Sequence, residues 1–446
     1  MTASELAGRL QSELFASPEI VVTGFATDNR EVKPGDAFLA IVGARVDGHE
    51  FVAQAFEAGA GLAVVERPVS GPHILVDNLV KALARLGASL RDSFSGPVVG
   101  ITGSAGKTTT KELVASALSP LGEILKTEGN RNTEFTAPLL WPQIEPDTAA
   151  VVVEMSMRGF GHIAHLAAFS RPTVGIVTNI GHSHLETVGN RDGIARAKGE
   201  LLEALPSDGT AILSREDDYF AALQSIARPR RVVTFGASPQ ADCRMISYEA
   251  TGWETSRIKG FYFDLPWEAE LPFIGRHLAM NATAAVAAAA VVGVAPQEAA
   301  ANLIDAELPP MRMEIRSWRG ATLLMDNYNA APGSMLAALE TLREAREPGR
   351  KFVILGDMRE LGDYAAEAHR DLGKRVANLK FDGVLLIGPL LTEFAVPEFG
   401  RHRPEVGEDA SAIGEFLQRV RPGDSVLVKG SRALELEKGI PAEEQS

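Results

Sequence analysis

The segment Gly103-Ser104-Ala105-Gly106-Lys107-Thr108-Thr109 stands between an apolar run, VVGIT, and a helix-like segment, KTTTKELVASAL. Glycines here let the chain turn tightly and aim N–H groups at phosphate oxygens, and a following helix N-terminus adds positive potential. Lys107 can reach the β- and γ-phosphates of a nucleotide, and the Thr108 hydroxyl can ligate Mg²⁺. The strict phosphate-loop template has glycine where Ile101 stands; here glycines fall at 100 and 103. A glycine-rich turn with a chance lysine is the bland alternative, and the order strand, loop, helix argues against it.

Two more apolar runs end in groups able to do chemistry. AVVVE closes on Glu154, either a Mg²⁺ ligand beside the nucleotide or an ordinary polar strand terminus. VGIVTN closes on Asn179 and leads into Gly181-His182-Ser183-His184. There His184 is a candidate metal or phosphate ligand and His182 reads more as a solvated loop residue. In parallel sheets such strand ends form the ligand edge. In RDGIARAKGELLEAL, Lys198 falls four residues after Ile194 and three before Leu201, on the apolar face of a helix. A buried, unpaired lysine is rare. Either it snorkels, or desolvation leaves a neutral amine able to add CO₂, giving an anionic carbamate that could ligate Mg²⁺.

The elements that must position these groups fall into three blocks, giving an α/β expectation. Residues 1–95 mix short strands and helices as a small α/β domain, with an opening amphipathic helix, a turn at Lys33-Pro34-Gly35 and a strand in AFLAIVG. Residues 96–308 alternate buried strands with helices, the pattern of parallel βαβ units around the phosphate loop. Between about 207 and 275 the helical signal weakens and FYFDLPWEAELPF alternates like antiparallel strands. After Pro309-Pro310 the βα rhythm returns through TLLMD, FVILGD, GVLLIG and DSVLVKG, giving a Rossmann-like third domain over 309–446.

Composition narrows the class. The formal net charge of −14 over 446 residues disfavours nucleic acid and anionic membranes as partners, so an anionic substrate needs a locally basic pocket. One cysteine, Cys243, allows no internal disulfide and disfavours a thiolate zinc site. The first residues carry no secretory h-region, and the most apolar stretch, 284–296, is too short to span a bilayer. The expectation is a soluble, cytoplasmic, monomeric enzyme.

The segments GITGSAGKTTTKE, VVVEMSMRGFG, TNIGHSHLE, IARAKGELL, HLAMNATAA, DNYNAAPGSM, LGDMRELG and VKGSR occur in the order seen in the Mur ligases, and the ensemble resembles that family over nearly the whole chain. The N-terminal TDNREVKPGDAFLAIVGARVDGHEF looks like the uridine-nucleotide domain of the members that use D-alanyl-D-alanine. The resemblance implies an ATP-dependent ligase joining that dipeptide to a UDP-N-acetylmuramoyl-tripeptide through an acyl phosphate, with two Mg²⁺ ions. It implies that Gly103 to Thr109 bind ATP phosphates, that Thr108 and Glu154 hold the first Mg²⁺, and that His184 with carbamylated Lys198 holds the second. Asn281 would contact adenine; Arg312, Asp326, Tyr328 and Asn329 would approach ATP from the third domain; Asp28, Arg30, Asp47 and His49 would serve the uridine nucleotide. Asn130 and Asn132 would lie on the substrate side. Departures from the family pattern fall at Asn29, Thr133, Phe135-Thr136, Ser156, Asn327 and Ala331. Rival readings are a sister ligase using another amine, a phosphate-loop ATPase, kinase or nucleotide switch without ligation, and a non-catalytic nucleotide-sugar binder.

Overall fold

The structure, a computed structural model, describes residues 1–43 and 46–442. Its described strands form three sheets in succession. The first runs Glu13–Phe15, His73–Leu75, Leu62–Val65, Ala37–Leu39, Phe25–Ala26 in spatial order, parallel except at Glu13–Phe15. The helix Leu79–Arg91, capped by Asn78, lays Leu79, Leu83 and Leu86 on this sheet's core. Its other side meets Trp141 and Phe169 at Gly87, where an added Cβ would lie 3.2 Å and 3.0 Å from those rings. One helix therefore belongs to two cores and ties the first unit to the second.

The middle sheet has nine strands. Val98–Thr102 lies at its heart, with Thr148–Glu154 on one side and Val174–Val177 on the other, all parallel. The chain starts on the central strand and then visits both flanks, which makes this strand the topological switch point where α/β sheets bind ligands. The segment expected to alternate folds as the antiparallel strands Ser256–Tyr262 and Leu265–Leu271. The helix Phe220–Ala227, in the stretch of weak helical signal, is short and buries little beyond Leu223 and Ala227. The apolar stretch near 284 lies in the helix Arg276–Val291, whose Ala282, Ala285 and Ala289 are fully buried. Small side chains let this helix pack closely on Lys107–Leu118, the helix that follows the phosphate loop. No helix among the described residues is long and apolar enough to cross a membrane.

The third sheet runs Glu314–Trp318, Ala321–Met325, Ser425–Lys429, Lys351–Gly356, Gly383–Ile387, Glu405–Gly407. It is parallel apart from its first strand. The last long strand inserts between the second and fourth, so this sheet too has a switch point. Apolar residues of the middle and third units, among them Leu278, Met313 and Met335, belong to one continuous buried cluster.

Candidate active site

Everything at the centre hangs on the loop after Val98–Thr102. A Cβ at Gly103 would land on the Thr178 hydroxyl. Gly106 has φ +80°, and its Cβ would lie 2.9 Å from Asn281 Nδ2, so a side chain there is excluded by both backbone and neighbour. The Asn179 side chain clamps the loop: its Oδ1 accepts from Ala105 N–H at 3.0 Å and its Nδ2 donates to Ala105 C=O at 3.0 Å. Thr178 Oγ1 donates to the same carbonyl at 2.6 Å, and Gly181 N–H donates to Ser104 Oγ at 2.8 Å. With the loop's own polar groups engaged, the N–H groups of Lys107, Thr108 and Thr109 remain. They open the helix, so they have no intrahelical acceptor, and all three residues line a cavity of about 740 Å³.

That cavity gathers residues 104–109, Asn130, Asn132, Glu154, Asn179, His182, His184, Asn281, Arg312, Asp326, Tyr328 and Asn329. The middle and third units thus share it. Glu154 is 2% exposed; its Oε1 accepts from Asn132 Nδ2 at 2.7 Å and its Oε2 is buried with no partner. An orphaned carboxylate oxygen beside a phosphate loop fits a Mg²⁺ ion, which takes few protein ligands and completes its shell with water and phosphate. No group of three or more His, Cys, Asp or Glu side chains that could hold a metal ion occurs among the described residues. Ser156, one of the departures, donates to Asn132 Oδ1 at 3.1 Å and so fixes the amide that orients Glu154.

Lys107 donates to Gly103 C=O at 2.8 Å. Desolvation pushes its pKa below the ordinary lysine value, against the pull of Glu154. Arg312 from the third unit donates to Thr108 Oγ1 at 3.0 Å and stacks over Tyr328 at 4.2 Å. The charge that sequence could equally read as a surface arginine therefore reaches the phosphate loop. Asp326 Oδ2 pairs with buried Lys429 at 2.6 Å. His184 Nδ1–H donates to Glu360 Oε2 at 2.9 Å, and this bond holds the Glu360 carboxyl below its usual range. His182 is not a free loop residue: it stacks on Tyr364, centroids 4.5 Å apart.

Lys198 is 1% exposed and lies outside the cavity lining. Its ammonium has no hydrogen bond or ion pair among the described residues. Burial first, then the Lys107 charge, push its pKa well below the lysine value. Burial without a partner therefore favours the uncharged amine over the ammonium.

The structure does not bring the first unit's candidates into this cavity. Asp28 caps a short helical turn and pairs with exposed Arg30 at 2.5 Å. Asp47 accepts from the His49 backbone N–H and ring Nδ1–H at 2.9 Å and 2.6 Å. Glu66 N–H donates to His49 Nε2 at 3.0 Å, so the ring is the neutral Nδ1–H tautomer and both its nitrogens are occupied. These side chains shape the local turns.

Lys429, Glu360 and His277 line the cavity without having been given a role from sequence, though each falls within one of the motif segments. What marks them is position: Lys429 ends a strand, His277 opens a helix and Glu360 lies in the loop after Lys351–Gly356, and all three line the cavity that holds the phosphate loop. Burial lowers His277 to about 4 from 6.5, against the pull of Asp326. Between those values the unfolded chain binds more protons than the folded one, so stability is lost as pH falls from about 6.5 to about 4. His277→Asn should therefore flatten the melting-temperature profile over that range. An unchanged slope would show that another group carries it.

A second cavity, about 960 Å³, opens beyond the strand ends of the third sheet, lined by Tyr328, Asn329, Asp357–Gly362, Pro389, Leu390 and Ser431–Ala433 with Glu186 of the middle unit. Asp357 accepts from Leu390 and Leu391 N–H, and His369 accepts from Met358 N–H, which fixes the loop carrying Arg359 and Glu360. Tyr328, Asn329 and Glu360 line both cavities.

A phosphate loop at one switch point, facing a second α/β sheet across a shared cavity, defines a three-unit nucleotide-dependent enzyme. Family profiles match as follows: "Mur ligase family, catalytic domain" at 21–120, "Mur ligase middle domain" at 101–289, and "Mur ligase, glutamate ligase domain" at 311–432. The chain belongs to the Mur ligase family. It is similar to proteins named UDP-N-acetylmuramoyl-tripeptide–D-alanyl-D-alanine ligase. The Bacillus subtilis protein is 34% identical, with 94% of this chain and 93% of that one covered. The Escherichia coli protein is 33% identical, with 99% and 98% covered. Among solved structures, MurF from Acinetobacter baumannii superposes with TM-score 0.89 at 32% identity over 98% of this chain and 97% of that one. MurF ligase from Thermotoga maritima in complex with ADP gives 0.82 at 30% identity over 94% and 97%.

Proposed function

We propose that this enzyme joins D-alanyl-D-alanine to a UDP-N-acetylmuramoyl-tripeptide at the expense of ATP, in the cytoplasmic synthesis of peptidoglycan precursors. The observation that carries the reading is the shared cavity, in which the phosphate loop, Glu154 and the His184 loop face Arg312, Asp326 and Tyr328. The tripeptide carboxylate attacks the γ-phosphorus, ADP leaves, and the dipeptide amine displaces phosphate from the acyl phosphate to form the amide. Both partners of the first step are anionic, so the rate depends on neutralising charge and holding geometry rather than on covalent protein chemistry. Lys107, the N–H groups of Lys107, Thr108 and Thr109, and Arg312 bind and orient the triphosphate. Glu154 and Thr108 would hold a Mg²⁺ ion, whose charge would neutralise that of the phosphates. His184 and Lys198, the latter as its carbamate, would hold a second ion. Asn281, beside Gly106, borders the nucleoside. Closure of the third unit on the loop, through Arg312 and Glu360, keeps water from the acyl phosphate.

The test is phosphate release by the purified protein with Mg²⁺-ATP and the tripeptide nucleotide, with and without the dipeptide, read together with product mass. Release that requires the dipeptide and yields the pentapeptide is expected. Release only with a different amine moves the substrate to that of a sister ligase. Release without any amide product sinks ligation in favour of a nucleotide switch.

A further inference from the structure

The two cavities meet at one charged side chain. Glu360 lines both, whereas Arg359 and Arg432 line only the third-unit cavity. Arg432 is already paired with Glu437 at 2.5 Å, while Arg359 makes no ion pair among the described residues. Electrostatically this gives a negative group at the junction with the nucleotide cavity and, next to it in the chain, an arginine without an ion pair that lines only the third-unit cavity. A dipeptide acceptor is a zwitterion whose ends lie about 7 Å apart when extended. An ammonium at Glu360 and a carboxylate at Arg359 match these two charges. That orientation also puts the acceptor's nitrogen on the side of the nucleotide cavity, which Glu360 borders.

The junction is held in an unusual backbone state. His184 has φ +67° and its partner Glu360 has φ +63°. Neither is glycine, and a left-handed backbone is unfavourable for a residue with a side chain. Two strained residues meet across the contact between the middle and third units, and the 2.9 Å bond between them fixes where the Glu360 carboxylate points. The side chain keeps 61% of its surface exposed, so its second oxygen remains open to a ligand.

We infer that Glu360 receives the acceptor's ammonium group and thereby sets the direction in which the acceptor enters, an inference that rests on the ligase reading above. Arg359 then takes the far carboxylate. The acceptor's positive charge is recognised by a residue of the third unit, while the group it attacks is held by the middle unit.

The experiment compares wild type with Glu360→Gln, which keeps size and removes charge, and with Arg359→Ala. Steady-state KM is measured separately for the dipeptide, ATP and the tripeptide nucleotide. Inhibition by N-propionyl-D-alanine, the desamino analogue of the dipeptide, is measured alongside. In Glu360→Gln the dipeptide KM should rise about tenfold or more, while the other two KM values stay within about twofold. The wild-type preference for dipeptide over its desamino analogue should shrink by a similar factor. Arg359→Ala should raise the dipeptide KM without altering that preference. An unchanged dipeptide KM in Glu360→Gln overturns the inference. So does an equal rise in the ATP KM, which would mean that Glu360 acts through His184 on the nucleotide side. Failure of wild type to use the dipeptide at all is a separate result. If another amine is used instead, the same comparison with that amine and its desamino analogue still tests Glu360, because every such acceptor carries an ammonium group.

Discussion

Lys198→Met should lower ligation by about 10²- to 10³-fold, the usual loss when one preorganised electrostatic group is removed, while the fold keeps its stability. Methionine fills nearly the same volume in the packed helix Arg191–Glu203 and removes a nitrogen that has no partner there. The wild-type amine lies close enough to Lys107 for their charges to repel. The proposed carbamate would form an N–C bond to CO₂ with release of a proton, and its negative charge would turn that repulsion into attraction. The measurement pairs ADP release with a melting curve, and adds bicarbonate to wild type in CO₂-depleted buffer. Bicarbonate should restore wild-type activity and do nothing for the variant. Near-normal turnover by Lys198→Met would falsify the assignment of any catalytic part to this nitrogen.

Glu154→Gln is expected to have a comparable effect on rate and an opposite one on the resting protein. The carboxylate has one oxygen anchored by Asn132 and one buried without a partner. A buried unsatisfied polar group costs about 1–3 kcal/mol, more when charged. Glutamine retains an acceptor for Asn132 and removes the net charge, so the nucleotide-free variant should melt no lower than wild type. Turnover should fall about 10²- to 10³-fold because the charge that would bind Mg²⁺ is gone, and excess Mg²⁺ should not recover it. Activity lost without stability lost is the signature of a residue held in place for function. If melting temperature and activity fell together, Glu154 would have to be counted as part of the core.

The departures from the family pattern divide once their neighbours are known. Ser156 supports Asn132, and Asn327, 1% exposed, donates to Glu437 at 2.7 Å beside Arg432, so both have structural partners. Asn29 donates to Gln54 at 2.9 Å on the first unit's surface. Phe135 packs against the first unit's core and Thr133 bonds Thr136 at 3.0 Å, so changes there reshape the joint between the first and middle units.

By itself the sequence determined the chemistry available at each strand end. Buried runs closing on Gly103, Glu154 and Asn179 are local patterns, and a strand that is apolar throughout and ends in a polar group announces its ligand edge without reference to anything distant. Lys198 was legible for the same reason, since helical spacing alone puts it on the buried face. The tertiary structure alone decided which charges meet. Arg312 and Thr108 are 204 residues apart in the chain. His184 and Glu360 lie in loops that follow strands of different sheets. Asp47 and His49 spend their polar groups on each other, on Arg67 and on the Glu66 N–H rather than on the cavity. Sequence periodicity encodes which face of an element is buried. It does not encode which face of another element lies opposite, because that is fixed by packing summed over the whole molecule.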